Sequence, residues 1–480
     1  MAANAEGGRA TVGKGFPQRE LRSELAYLGM LSLTFFLYMA LALSSLAPNG
    51  VIGKMSTIHM AAQRNVFLRN LLVVCGFQDA GPLRLRVFLY LVLVLLAACY
   101  LWALHIFRHR PRGLPSILSV WLFLNLILLF IPPLLSRDVF SYMFYGKIAT
   151  AYGHNPYLVT PQRFSADPLF PLTSLYWKNT PVVYGPLFTL LSMLLTRMAG
   201  NQITLGIYLF KSTAALFNLA CVLLIWYILG KHAPRRQAFG TMLYAWNPLV
   251  LIHSTGGAHN DVIMAALALG ALALLLRGKR FSGFFLLCMS FMVKYITLIL
   301  IASYVLYLFL TRESLKRWAR EAFFLGLILL AVFFAFYAPF WEGPRTFSPL
   351  LENLRLRNYN LPAGWLLAAL GGLLHLVLRL GIRTAFSAAS ILCSLALNLL
   401  FLVCLVRFTL RCRSERDFPE CWFLITLAFL LTRSYFLSWY MFWVFPFLCL
   451  RRWDGLSRFT LLAGTLTLYF ADLMPYSSGG

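Results

Sequence analysis

The chain has 480 residues, 60% hydrophobic and only 12% charged, with a formal net charge of +26. Soluble domains carry about 25% charged residues, so the composition excludes a soluble globular protein and reads as an integral membrane protein. The basic residues fall in short clusters between apolar runs, so the charge reads as a positive-inside pattern and not as a nucleic-acid surface.

Residues 25–47 follow a polar, basic start and are longer than a signal-peptide core, so they read as a retained first helix. Residues 1–24 are then a cytoplasmic segment, and residues 25–480 form one transmembrane domain. Val87–Phe107 returns to the basic "RHRPR", and Ile117–Leu135 runs outward again, placing Asp138 just outside the membrane. The five later basic clusters, "GKHAPRRQ", "RGKR", "TRESLKRWAR", "RFTLRCRSER" and "RRW", are all expected on the cytoplasmic side. That requires that Pro186–Met198 and Pro362–Leu380 not both be full spans, and both are read as interfacial or half-inserted helices attached to two outer loops, 136–185 and 341–361. It also makes Phe281–Val293 and Ile296–Leu310 a short hairpin with Lys294 at its tip. The expected fold is all-α, a polytopic transmembrane helical bundle with about 13 spans, within a range of about 11 to 15. The nine cysteines sit mostly in apolar runs without a C-x-x-C pair, and read as small hydrophobes.

Among the 16 acidic residues, only Asp138 and Asp261 stand at ends of spanning helices with aromatic and polar neighbours. Desolvation there raises a carboxylate's pKa and makes it a better base. Helix-end capping is the alternative for Asp138 and, more strongly, for Asn260 or Asp261 after the Gly256-Gly257 turn. His253 and His259 are polar anchors or ligands, and two histidines with one aspartate fix no metal geometry. Arg433 interrupts an apolar run, and an intramembrane arginine is a functional candidate unless it snorkels. Lys294 is weighed the same way, against a structural role. Arg345, Arg355 and Arg357 break the positive-inside rule in the second outer loop and are candidates for holding an anion. Tyr142 and Tyr145 follow Asp138 on one helical face, to pack on a sugar or anchor at the interface. Trp439, Tyr440 and Trp443 form an aromatic cluster that is also compatible with an interfacial belt.

The stretches "DVFSYMFYGKIATAYGHNPYLVTP", "WKNTPVVYGPLF", "NPLVLIHSTGGAHNDVIM" and "SYFLSWYMFWVFP" resemble the polyprenol-phosphomannose-dependent α-1,6-mannosyltransferases, membrane glycosyltransferases of the GT-C class. The resemblance runs from about Ser136 to Pro446; residues 1–115 carry no motif of it, and Ser438 stands where a proline often precedes the late Trp-Tyr. It implies a GT-C-type bundle in a bacterial cytoplasmic membrane, with a mannose or related hexose donor on a polyprenyl phosphate. The acceptor is then a glycan or glycolipid hydroxyl on the extracytoplasmic side. By its place in the motif, Asp138 corresponds to the catalytic base. His154 and Tyr184 lie in the same motifs and join Tyr142, Tyr145, His259, Asn260, Asp261, Lys294, Arg355, Arg357, Arg433, Trp439 and Tyr440 as candidate substrate-binding residues.

The chemistry agrees with these parts. A lipid-linked sugar phosphate needs an apolar groove, cations for the phosphate and a base for the acceptor. Phosphate leaves readily, so neither cofactor nor metal is expected, and no D-x-D or P-loop suggests a nucleotide donor. The competing reading is a transporter or flippase of a polyprenyl-linked lipid, with Lys294, Asp261 and Arg433 lining a path. No repeat between halves supports it.

Overall fold

The structure is a computed structural model that describes residues 18–47, 65–355, 362–433 and 435–468. Its elements are helices, with no named strand among the described residues. The first four are α1 (Gln18–Ser45), α2 (Val66–Val74), α3 (Pro82–His109) and α4 (Leu114–Leu129). Next come α5 (Asp138–Thr150), α6 (Pro186–Ala199), α7 (Ile203–His232) and α8 (Gln237–Ala245). They are followed by α9 (Asp261–Leu275), α10 (Arg280–Val293), α11 (Leu298–Leu310) and α12 (Leu315–Tyr337). The last are α13 (Pro362–Leu378), α14 (Ile382–Leu410), α15 (Phe418–Leu431) and α16 (Phe445–Leu450), before a final helix Gly455–Leu466.

Among the described residues, five helices are long and apolar enough to cross a membrane, or six if the bent pair Pro248–Gly256 and Asp261–Leu275 is one span. At 1.5 Å per residue the 30-residue α7 is about 45 Å long, more than the ~30 Å hydrocarbon core. The protein is therefore a membrane protein. The remaining apolar helices, including α4, α6, α10 and α13, are shorter. The expected number of about 13 spans does not emerge from helix length, because half of the apolar helices are too short to be counted by it. Leu395, Leu399 and Leu402 of α14 and Phe323, Leu330 and Phe334 of α12 remain exposed, as lipid-facing surface must.

Three breaks shape the interior. The chain leaves α4 at Leu129, ahead of Pro132 and Pro133, and Leu135 adopts a left-handed φ of 57°. Between Pro248 and Asp261 a π turn over Ile252–Gly256 and Ala258 at φ 56° bend the pair by 113°. π turns and left-handed non-glycine residues are costly locally and concentrate at functional sites. The third break is Lys294, extended between α10 and the turn Tyr295–Thr297, where the sequence predicted the hairpin tip. Leu134 N–H donates to the Gly256 carbonyl at 3.1 Å, tying the first break to the second. Gly185 N–H donates to the Val293 carbonyl at 3.1 Å, and a Cβ on Gly185 would lie 2.0 Å from the Met292 carbonyl oxygen. Only glycine permits that approach, which ties the loop before α6 to the third break.

Candidate active site

The three breaks bring buried polar groups to one place, and each is set by its local backbone. Asp138 is the first residue of α5, and Ser136 Oγ accepts its backbone N–H at 3.1 Å. Neither Arg137 nor Asp138 makes a side-chain cap bond to the start of α5, so capping does not account for the carboxylate. Its Oδ1 accepts the Trp177 indole N–H at 3.0 Å, and its Oδ2 lies 3.5 Å from His259 Nδ1, outside hydrogen-bond geometry. Asp138 is buried and lies in the segment between spans. Burial pushes its carboxyl up to about 6, opposed by the Trp177 hydrogen bond and the charge of Lys294 and reinforced by the charge of Asp261.

Asp261 opens α9 and is fully buried. Its Oδ1 accepts Lys294 Nζ at 2.7 Å and the Trp443 indole N–H at 2.6 Å, while its Oδ2 has no partner. Asn260 holds the N-cap position without a side-chain cap bond, and both of its amide atoms are buried and unpartnered. Both ring nitrogens of His259 are likewise without a hydrogen bond. Buried polar atoms are usually paired with protein or water, and those of His259, Asn260 and Asp261 are available to a polar ligand.

Aromatic rings wall the cluster. His259 stacks on Trp439 at 4.2 Å and 20°, and His253 accepts or donates at Ser438 Oγ, 2.8 Å away. Tyr440 stacks on Trp443 at 4.1 Å, with Lys294 Nζ 5.3 Å from the Tyr440 ring. On the α5 side, Tyr142 meets Tyr184 edge-on at 5.2 Å and Phe188 at 4.8 Å, and Trp177 lies 5.8 Å from Tyr184. The Tyr145 hydroxyl donates to the Thr180 carbonyl at 2.9 Å, holding the loop that carries Trp177.

The structure thus gathers Asp138, Tyr142, Tyr184, His259, Asn260, Asp261, Lys294, Trp439 and Tyr440, with Tyr145 behind them. It places two other expected residues elsewhere. Arg433 donates to Asn398 Oδ1 at 2.9 Å and sits 4.4 Å over Phe429, whose ring is 6.0 Å from Trp443. One ring therefore stands between Arg433 and the cluster. His154 packs against Phe164 at 5.7 Å, in a satellite group with Tyr152. Arg355 ends the helix Ser348–Arg355 with its side chain undescribed, and Arg357 lies outside the described residues. Among the described residues no group of three or more His, Cys, Asp and Glu is placed to hold a metal.

Two contributors escaped the sequence reading. Trp177 lies within the quoted "WKNTPVVYGPLF", yet its spacing from Asp138 carries no periodic signal. Lys211, fully buried in α7, donates to the Leu128 and Ile131 carbonyls at 2.5 and 2.6 Å and so closes the frayed end of α4 before Asp138. Its signal was a lone cation inside an apolar helix, the same signal that singled out Arg433.

Among curated proteins, the chain is 33% identical over 168 residues to the alpha-(1->6)-mannopyranosyltransferase A of Mycobacterium tuberculosis, covering 34% of this chain and 31% of that protein. It is 30% identical over 169 residues to the alpha-(1->6)-mannopyranosyltransferase A of Corynebacterium glutamicum, covering 35% and 34%. A probable alpha-(1->6)-mannopyranosyltransferase of Mycolicibacterium smegmatis is 30% identical over 175 residues, covering 36% and 30%. The matched stretch spans about a third of the length of these curated relatives. The model of the alpha-(1->6)-mannopyranosyltransferase N-terminal domain matches residues 49–310, which reaches further towards the N-terminus than the motifs and takes in Asp138, Asp261 and Lys294. With more than half of its length matched by that model, the chain belongs to the alpha-(1->6)-mannopyranosyltransferase family.

Proposed function

We propose that the protein is an inverting glycosyltransferase that moves mannose, or a related hexose, from a polyprenyl-phosphate sugar to an acceptor hydroxyl. The family and the relatives' names support mannose. The proposed side is the extracytoplasmic face of a bacterial cytoplasmic membrane, a reading supported by the expected cytoplasmic position of the basic clusters. The observation that carries the reading is the buried carboxylate of Asp138, raised to about 6, beside buried polar atoms that have no partner.

In this mechanism the acceptor oxygen attacks the anomeric carbon as the bond from that carbon to the phosphate oxygen breaks. The acceptor proton passes to Asp138, and the electron pair leaves with the polyprenyl phosphate. A single displacement on a β-linked donor gives an α product. A base pKa of about 6 leaves Asp138 ionised at neutral pH yet basic enough to take the proton. Lys294 is the cation nearest the cluster and is assigned to the phosphate, with Arg433 behind Phe429 adding longer-range positive potential. Asn260 and His259 offer hydrogen bonds to sugar hydroxyls, and Trp439 and Tyr440 offer rings to stack on its apolar face.

The test is transfer by the purified chain in lipid vesicles supplied with radiolabelled polyprenyl-phosphomannose and a membrane acceptor fraction. Label in a new glycoside that survives mild acid, which cleaves the glycosyl phosphate of the donor, supports the reading. Movement of the intact labelled lipid between leaflets, with no glycoside formed, replaces the enzyme by a flippase.

A further inference from the structure

A cavity among the described residues lies away from Asp138. It has a volume of about 530 Å³, within the range of ligand-binding sites. It lies where the ends of α7, α14 and α16 meet the start of α15. Its distance from the candidate active site follows from α7. Near one end of that helix, Gly206 abuts Met143 of α5, while His232 at the other end lines the cavity. Gly206 to His232 is roughly 39 Å of helix at 1.5 Å per residue.

Three basic clusters that the sequence scatters from Arg236 to Arg452 converge here. Five arginines line the cavity against two carboxylates, Asp417 and Glu420. Pairing within the fold consumes both acids. Glu420 binds Arg451 at 2.8 Å, and Asp417 accepts the backbone N–H groups of Arg413 and Ser414 at 2.9 and 3.0 Å. Arg451 also engages Asp454, which Arg452 shares. Arg236 is turned inward onto the backbone, with its Nη2 donating to the Leu450 carbonyl at 2.6 Å. That leaves Arg411 and Arg416, both exposed, with no ion pair among the described residues.

Apart from His232, the other lining is mainly apolar, with Ile228 and Leu229 of α7, Leu424 of α15 and Leu450 of α16. The surfaces continuing from these walls into the bilayer are also apolar, with Leu223 of α7 and Val403 and Val406 of α14 exposed. A small hydrophilic anion has no use for such a floor. An amphiphile uses both parts, its phosphate between the two free guanidiniums and its chains along the exposed leucine and valine faces.

We infer that this cavity is a binding site for the phosphate headgroup of an anionic membrane lipid, on the face opposite the transfer site. The site is independent of the reaction at Asp138. Arg411 and Arg416 grip the phosphate, and the Arg236 bond to the Leu450 carbonyl keeps α7 and α16 in register beneath it.

Native mass spectrometry of the purified full chain in neutral detergent tests this with three probes: dioleoyl phosphatidylglycerol, dioleoyl phosphatidylcholine and inorganic phosphate. One phosphatidylglycerol should bind at least ten-fold more tightly than phosphatidylcholine, and Arg411→Ala with Arg416→Ala should remove roughly ten-fold or more of that preference. The pair Lys231→Ala and Arg235→Ala, basic at the same end but outside the lining, should leave it within about two-fold. Should the double variant fail to fold, Arg416→Gln alone is expected to reduce the preference by several-fold. Equal affinity for the two lipids, or an unchanged double variant, overturns the site. An equal loss in the control pair overturns it in favour of a diffuse surface field. Displacement of the lipid by millimolar inorganic phosphate overturns it in favour of a soluble anion.

Discussion

Asp138 and Asp261 each open a helix at a break in the bundle, and each is buried, yet their surroundings differ in kind. Asp261 is tied by a charged donor, Lys294, and by the Trp443 indole on the same oxygen. Asp138 receives one neutral hydrogen bond from Trp177 and keeps its second oxygen facing His259 without hydrogen-bond geometry. An ion-paired carboxylate is a poor base, because taking a proton gives up its attraction to the ammonium. A desolvated carboxylate with one neutral donor gains by taking one. In the proposed mechanism the two helix starts divide the labour: Asp138 takes the proton, and Asp261 positions Lys294.

The largest effect that can break this division is at the base. Asp138→Asn keeps the shape and the Trp177 contact but removes the basic electron pair, so transfer should fall by about 10²–10⁴ with the thermal transition unmoved. Asp261→Asn should do the reverse. Removing one partner of a buried ion pair costs on the order of 3 kcal/mol, so its melting temperature should drop while transfer by the folded fraction stays within about ten-fold. If the stability loss appears in Asp138→Asn and the rate loss in Asp261→Asn, the roles are exchanged.

The cations come next. Lys294→Met should reduce turnover by about 10², because the phosphate loses its nearest positive charge. Arg433→Lys should cost about ten-fold, or ~1.4 kcal/mol, since a lysine cannot keep both the Asn398 bond and the guanidinium plane over Phe429. Single-turnover rates in both variants check this order, and a larger loss at Arg433 than at Lys294 would place the phosphate on the far side of Phe429.

Trp177→Phe is the mildest change. The Trp177 hydrogen bond holds the Asp138 pKa down, so its removal raises the pKa and lowers the ionised fraction at any given pH. For a rise of about one unit from about 6, the ionised fraction at pH 7 falls about two-fold, so turnover at pH 7 should fall about two-fold and recover at pH 8. A loss that persists at high pH would make Trp177 a packing residue instead.

Much of this site is readable along the chain because its residues announce breaks. A carboxylate after Pro132 and Pro133, a Gly256-Gly257 turn before Asp261, and a lysine splitting two apolar runs each mark a helix end by local rules alone. What one dimension withholds is which break faces which. Arg433 and Lys211 give the same signal, one cation in an apolar run, but Arg433 turns to Asn398 on α14 and Lys211 to the end of α4. Trp177 reaches Asp138 from a loop that also brings Gly185 against Met292, a tertiary contact with no local signal. The span number was equally hidden: helices such as α6 and α10, at 14 residues each, are too short for length to decide whether they cross.

The central claim, that Asp138 is the base, is tested most directly by the pH dependence of kcat/KM for transfer in wild type and in Asp138→Asn. A base whose pKa is raised to about 6 acts only when deprotonated, so wild-type kcat/KM should rise with pH, reach half its maximum near 6 and level off above about 7. The residual activity of Asp138→Asn should show no such acid limb. An acid limb that survives in Asp138→Asn with its midpoint unchanged, and that vanishes in Asp261→Asn, contradicts the account.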